Sequence, residues 1–169
     1  MFCRKCFKPF MAAITCLVLA PTPDGLWHED DWAVSVTETE AETETEMSRE
    51  IDSDLFNVAH LMMGEAGYTD STERRLTASV LLNRVDSPLF PDTIGGCLYQ
   101  PGQYSTVRDG GPFWWEPTAD CWQDAEDLLT KWYETGETDL PENVLYQSLF
   151  PQGSGTYIIS SWGQYFCYQ

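Results

Sequence analysis

The stretch from Glu73 to Val85 most restricts what this chain can become, because it reads as a helix that is apolar almost all round. Such a helix buries each of its faces only when other elements surround it, so it has to be central. The flanking sequence supplies candidates for that surround. Asp52, Ser53 and Asp54 offer a cap for a helix over Leu55 to Glu65. Thr93 to Tyr99 reads as a short helix, and Pro101-Gly102 turns the chain into a strand over Gln103-Tyr104-Ser105-Thr106-Val107. Thr118 caps a long helix with Trp122, Ala125, Leu129, Trp132 and Tyr133 at helical spacing, and Gly136 ends it. Val144 to Leu149 and Tyr165 to Tyr168 read as strands with a Gly/Ser loop between them. The expected class is α+β, helices first and then a small antiparallel sheet.

The N-terminus predicts export. Arg4, Lys5 and Lys8 precede an apolar run from Phe10 to Ala20, closed by Pro21. A positive end, an apolar core and a small-residue exit make a secretory signal over 1–20. The run is too short for a comfortable bilayer span of roughly 20 residues, so no stable membrane insertion is expected once it is removed. Residues 21–50 read as an acidic linker carrying Thr37-Glu38-Thr39-Glu40 and Thr43-Glu44-Thr45-Glu46, polar enough to stay extended and mobile. Residues 51–169 are then the folded domain.

Charge narrows the partners. The formal net charge is −18, and residues 51–169 hold seventeen acidic against five basic side chains. Without a Lys/Arg stripe the domain lacks the phosphate contacts on which nucleic-acid affinity rests. A neutral, cationic or carbohydrate partner fits better. Cys97, Cys121 and Cys167 remain after the signal, which leaves both one disulfide with a spare thiol and three free thiols open.

One carboxyl stands out. On a 100° helical wheel Leu55, Val58, Ala59, Leu61 and Met62 share a broad arc, and Glu65 falls inside it between Leu61 and Val58. Asn57, His60 and Gly64 take the opposite side. An acid on an apolar face is costly to ionise, so its pKa rises. A carboxyl kept protonated near neutrality is what glycosidic cleavage needs, since the departing sugar oxygen must receive a proton.

Three segments carry a resemblance. Gly64-Glu65-Ala66, Leu81-Leu82-Asn83-Arg84-Val85 and Tyr99-Gln100-Pro101-Gly102-Gln103-Tyr104-Ser105 resemble, in order, the signatures of the SleB/CwlJ-type cell-wall hydrolases, which include spore cortex-lytic enzymes. Val144-Leu145-Tyr146 and Gln164-Tyr165-Phe166 are similar to that family's late strands. The likeness covers roughly residues 54–168. It implies a lysozyme/lytic-transglycosylase-like helical domain with a small antiparallel β-sheet, cutting peptidoglycan glycan strands with Glu65 as catalyst. It also implies substrate contacts from Gln103 and Ser105, with Tyr146 aimed at the cleft. Asn83 and Arg84 are expected to tie the central helix to its neighbours. Trp114 and Trp115, in a Gly/Pro-rich loop, suit either sugar stacking or packing on the core. No cofactor or metal is expected, and a monomer, secreted to the cell wall or spore cortex, is the expected form.

Other chemistries fare worse. Zinc needs clustered ligands, and the chain has only His28 and His60. A papain-like peptidase needs a Cys–His pair, and no cysteine sits in a nucleophile motif. A two-carboxylate hydrolytic muramidase or glucosaminidase needs a partner for Glu65. Asp86, Asp109 and Glu116 are candidates with nothing to single them out. A catalytically silent peptidoglycan-binding module is the remaining alternative.

Overall fold

The computed structural model describes the backbone of residues 33–169 and side chains from residue 48 onward. The expected secretory signal at 1–20, with Cys3, Cys6 and Cys16, lies outside the described residues. Helix α1 spans Ala33–Ala66, α2 Ser71–Asp86, α3 Ile94–Leu98 and α4 Ala119–Thr135; strands β1, β2 and β3 span Val144–Ser148, Gly155–Ile159 and Tyr165–Tyr168. Residues 53–169 form one compact unit, and its class is α+β.

Helix α2 is the centre the sequence demanded. Every residue from Leu76 to Val85 is buried. Asp70 caps its start, its side chain accepting the Glu73 N–H at 3.0 Å, and the Ser87 N–H closes its end on the Arg84 carbonyl. One side packs into the main core with Val58, Leu61 and Met62 of α1, Leu98 of α3 and Leu128 and Trp132 of α4. The other packs Leu76 and Val80 against Leu140, Val144 and Phe166.

Burying a helix on all sides also buries its polar side chains, and each needs a partner. Asn83 donates to the carbonyls of Pro141 (2.8 Å) and Val144 (3.1 Å) and accepts from the Thr138 hydroxyl (2.8 Å). Arg84 donates to the Leu145 carbonyl at 2.8 Å and lies over the rings of Phe90 and Tyr104. These two residues fasten α2 to the start of β1, as the sequence led us to expect. Arg74 does the same toward α4, pairing with Asp124 at 2.6 Å.

Three elements depart from expectation. Helix α1 begins at Ala33, inside the segment read as an extended linker, and not at the Asp52–Asp54 cap. No Pro or Gly interrupts Ala33 to Met63, and Ala and Glu favour the helix, so nothing stops it. Asp54 accepts the Tyr133 hydroxyl at 2.5 Å instead of capping. Second, Ser105–Val107 is a 3-10 turn rather than a strand, because the chain bends there to lie on α1. Third, the Gly/Ser loop contains β2. The sheet is antiparallel in the order β1-β3-β2, with Tyr146 opposite Cys167 and Ile158 opposite Phe166. Strand β2 is exposed along almost its whole length, which removes the alternation by which strands are recognised.

Among the described residues Cys97, Cys121 and Cys167 are all free and buried, the arrangement of three thiols. Among the described residues no helix is long and apolar enough to cross a membrane.

Asn83→Ala takes the amide donor from the Pro141 and Val144 carbonyls at the junction of α2 and β1 and leaves the Thr138 hydroxyl only its Leu140 partners. It should lower unfolding free energy by about 2–4 kcal/mol, read from the urea midpoint at unchanged m-value.

Candidate functional site

Glu65 sits one residue before the last of α1, where the helix gives way to Gly67. Its side chain is half-buried, with Ala66 and Met63 buried beside it. The carboxyl lies against the segment 104–114, which crosses this end of α1. The Thr106 hydroxyl donates to Glu65 Oε1 at 2.5 Å. Burial pushes the Glu65 pKa above its ordinary value of 4.5, and the Thr106 bond partly offsets that rise by favouring the ionised form. The apolar-arc reading of Glu65 anticipated the direction of this shift.

The crossing segment can come this close because Gly64 has no side chain. A Cβ there would stand 3.0 Å from the Phe113 nitrogen and 3.3 Å from the Thr106 Cβ. Phe113 is wholly buried, and its carbonyl takes a 2.6 Å hydrogen bond from His60 Nδ1. His60 is thus enclosed by Phe56, Phe113 and Trp122 rather than presented to solvent from a polar helix face. The side of α1 that the sequence assigned to polar residues is covered: His60 lies under this segment, Asn57 accepts the Tyr99 hydroxyl at 3.1 Å, and both are buried. His60 therefore serves as a clamp between α1 and this segment.

Tyr104 anchors the front of the same segment. Its ring is buried under the Arg84 guanidinium, 5.3 Å from the ring centre. Burial pushes its phenol up to about 12; Arg84 draws it down, and the nearby Glu65 charge adds to the rise. Its neighbours Gln103 and Ser105 are exposed, on either side of the buried ring. The structure thus brings the Gln103–Ser105 stretch to the acid through Thr106, the next residue. Tyr146 stands half-buried in β1, with Gly153 beneath its ring, and no hydrogen bond joins it to Glu65 among the described residues.

Thr106 was missed in the sequence because a lone threonine in an apparent strand carries no signal. A second buried carboxyl was missed as well. Glu73, in the first turn of α2, is 1 % exposed, with Oε1 buried and unpartnered. Burial raises its pKa, a hydrogen bond with the Ser160 side chain opposes the rise, and Asp70 adds to it. In sequence an acid there reads as ordinary helix-dipole complement. Asp86 accepts the Trp132 indole N–H at 2.8 Å, a packing role. Asp109 and Glu116 are exposed. Among the described residues no group of three or more His, Cys, Asp or Glu could hold a metal ion.

Residues 70–141 match the model of a family described as Cell Wall Hydrolase. The matched stretch contains Asn83, Arg84, Gln103, Ser105 and Thr106 and begins beyond Glu65. The spore cortex-lytic enzyme of Oceanobacillus iheyensis is 32% identical over 94 residues, covering 56% of this chain and 32% of that protein. That of Bacillus subtilis is 28% identical over 95 residues, covering 56% and 29%. The chain thus spans about a third of the length of these relatives. Among solved structures, the catalytic domain of the Bacillus cereus SleB protein aligns at a TM-score of 0.49 and 24% identity, over 69% of this chain and 90% of that one. The likeness to SleB/CwlJ-type cell-wall hydrolases first carried by the motifs therefore holds, with the Cell Wall Hydrolase pattern lying over residues 70–141.

Proposed function

We propose that this chain cleaves the glycan strands of peptidoglycan as a lytic transglycosylase, with Glu65 as its single essential carboxyl. The observation that carries the reading is the setting of Glu65: half-buried, raised in pKa, and held through one oxygen by Thr106. With Oε1 engaged as an acceptor, Oε2 is the oxygen left to carry the catalytic proton. That proton passes to the glycosidic oxygen between N-acetylmuramic acid and N-acetylglucosamine as the C1–O bond breaks and its electron pair goes to the leaving oxygen. The carboxylate left behind takes the proton of the muramic acid 6-hydroxyl while O6 bonds to C1. A 1,6-anhydro ring closes, Glu65 is again protonated, and no water is consumed.

Gln103 and Ser105 are proposed to meet the N-acetyl and hydroxyl groups of the sugars from the exposed side of the Thr106 segment, with Tyr146 contributing from β1. The acidic surface suits a substrate read by hydrogen bonds and ring contacts rather than by phosphate. On this reading residues 1–20 direct export, the acidic segment 21–50 is a spacer, and 51–169 act as a monomer on the wall or cortex.

Glu65→Gln should lower release of muropeptides from purified peptidoglycan by roughly 10²–10⁴-fold. Mass spectrometry of the wild-type products should find muropeptides lighter by one water than hydrolytic ones. Reducing-end products would make the enzyme a hydrolase. No products from folded wild-type protein would reject the enzymatic reading.

Glu65 must be protonated to act, so activity should fall as pH rises through its elevated pKa. Thr106→Val removes the bond that favours ionisation, and the alkaline limb of kcat/KM should move to higher pH. The rate at the optimum should drop by about 10- to 100-fold as the carboxyl loses its holder. Stability follows the same sign. The folded state binds this proton more tightly than the unfolded chain, so the stability it contributes is present at low pH and lost between 4.5 and the raised value. Above that window Glu65→Gln should melt no lower than wild type.

A further inference from the structure

Phe113 and Trp114 are adjacent in one 3-10 turn, Pro112–Trp114, and have opposite fates. Phe113 is wholly buried and fixes the turn to α1, whereas Trp114 remains 48% exposed. The exposed ring is nevertheless held. Its indole N–H donates to the Val107 carbonyl at 3.2 Å, and its ring meets Phe113 edge-on at 5.1 Å between centroids. Val107 directly follows Thr106, whose hydroxyl holds Glu65. The indole is therefore pinned by two independent contacts to the same segment whose Thr106 holds the acid.

With its only polar group already satisfied, this ring has just a flat apolar face to offer. A large aromatic left half in water, with its orientation fixed, forgoes burial it could have gained and has already lost rotamer freedom. The matching ligand surface is a sugar ring, whose axial C–H bonds form an apolar, weakly positive face against the negative face of the indole. We infer that Trp114 is a stacking platform for a pyranose ring of the N-acetylated glycan, forming a subsite beside Glu65. This inference rests on the proposed glycan-cleaving function and adds a binding residue outside the Gln103–Ser105 segment. Because the platform is set before the substrate arrives, little ordering remains to oppose binding.

The test uses full-length protein silenced by Glu65→Gln, titrated calorimetrically with soluble glycan strands freed of their peptides. The Trp114 variants Ala, Phe and Leu are compared with the parent, and KM and kcat are measured for each in the active background. Trp114→Ala should weaken glycan affinity and raise KM by roughly two- to ten-fold, with a smaller change in kcat. Trp114→Phe, which keeps a π face but loses the bond to Val107, should recover most of that affinity. Trp114→Leu, apolar without a π face, should not. Should Trp114→Ala melt early, the Phe and Leu pair still decides. Equal affinity across the variants, or Leu matching Phe, overturns the platform while leaving glycan cleavage standing. Failure of the Glu65→Gln parent to bind glycan, together with no cleavage by wild type, removes the proposed function and the platform with it.

Discussion

The candidate site depends on one place where two stretches of backbone touch. At Gly64 the segment 104–114 lies directly on α1, with the Phe113 nitrogen only 3.0 Å from where a Cβ would stand. Contact at that range sets the depth at which Glu65 is buried and brings Thr106 within a hydrogen bond of it. It also seals His60 beneath the Phe113 carbonyl, which locks the segment from the other side. Removing water from around Glu65 raises the cost of its ionised form, and the Thr106 hydroxyl limits that cost. The proton affinity of the acid is thus a by-product of how closely a turn can approach a helix.

Central helix α2 sets the frame for that approach. Because all its sides are covered, its long polar side chains need partners on neighbouring elements, and Asn83 and Arg84 find backbone carbonyls at the start of β1. Arg84 does double duty, since the same guanidinium covers Tyr104 at the head of the segment that bears Thr106. One buried cation therefore joins the helical core, the sheet and the flank of the site. Few substitutions could serve both directions, because the geometry needs a planar group that donates at its edge and stacks on its face.

Features written in local periodicity were legible in the sequence. Glu65 could be placed on the apolar arc of α1 from its spacing alone, and the covered faces of α2 followed from its composition. Thr118 and Gly136 marked the ends of α4 because a cap and a left-handed stop are local chemistry. Features made by distant segments were not legible. Thr106 acts across 41 residues, and Glu73 is buried by a loop near Ser160 that no helical pattern announces. His60 looked solvent-facing because its cover comes from far along the chain. Strand β2 was hidden for another reason: an exposed edge strand that pairs through its backbone imposes almost no pattern on its side chains.

The strand order β1-β3-β2 has a consequence for folding. The middle strand is the last of the three in the chain, so β1 and β2 have no edge to pair with until β3 docks between them. Until β3 is in place, the helices can already collapse around α2, while Tyr157, Ile158 and Ile159 of β2 stay unpaired and open to other chains. The sheet is closed by a late arrival, and the yield of folded protein becomes a race between that arrival and encounter with a neighbour.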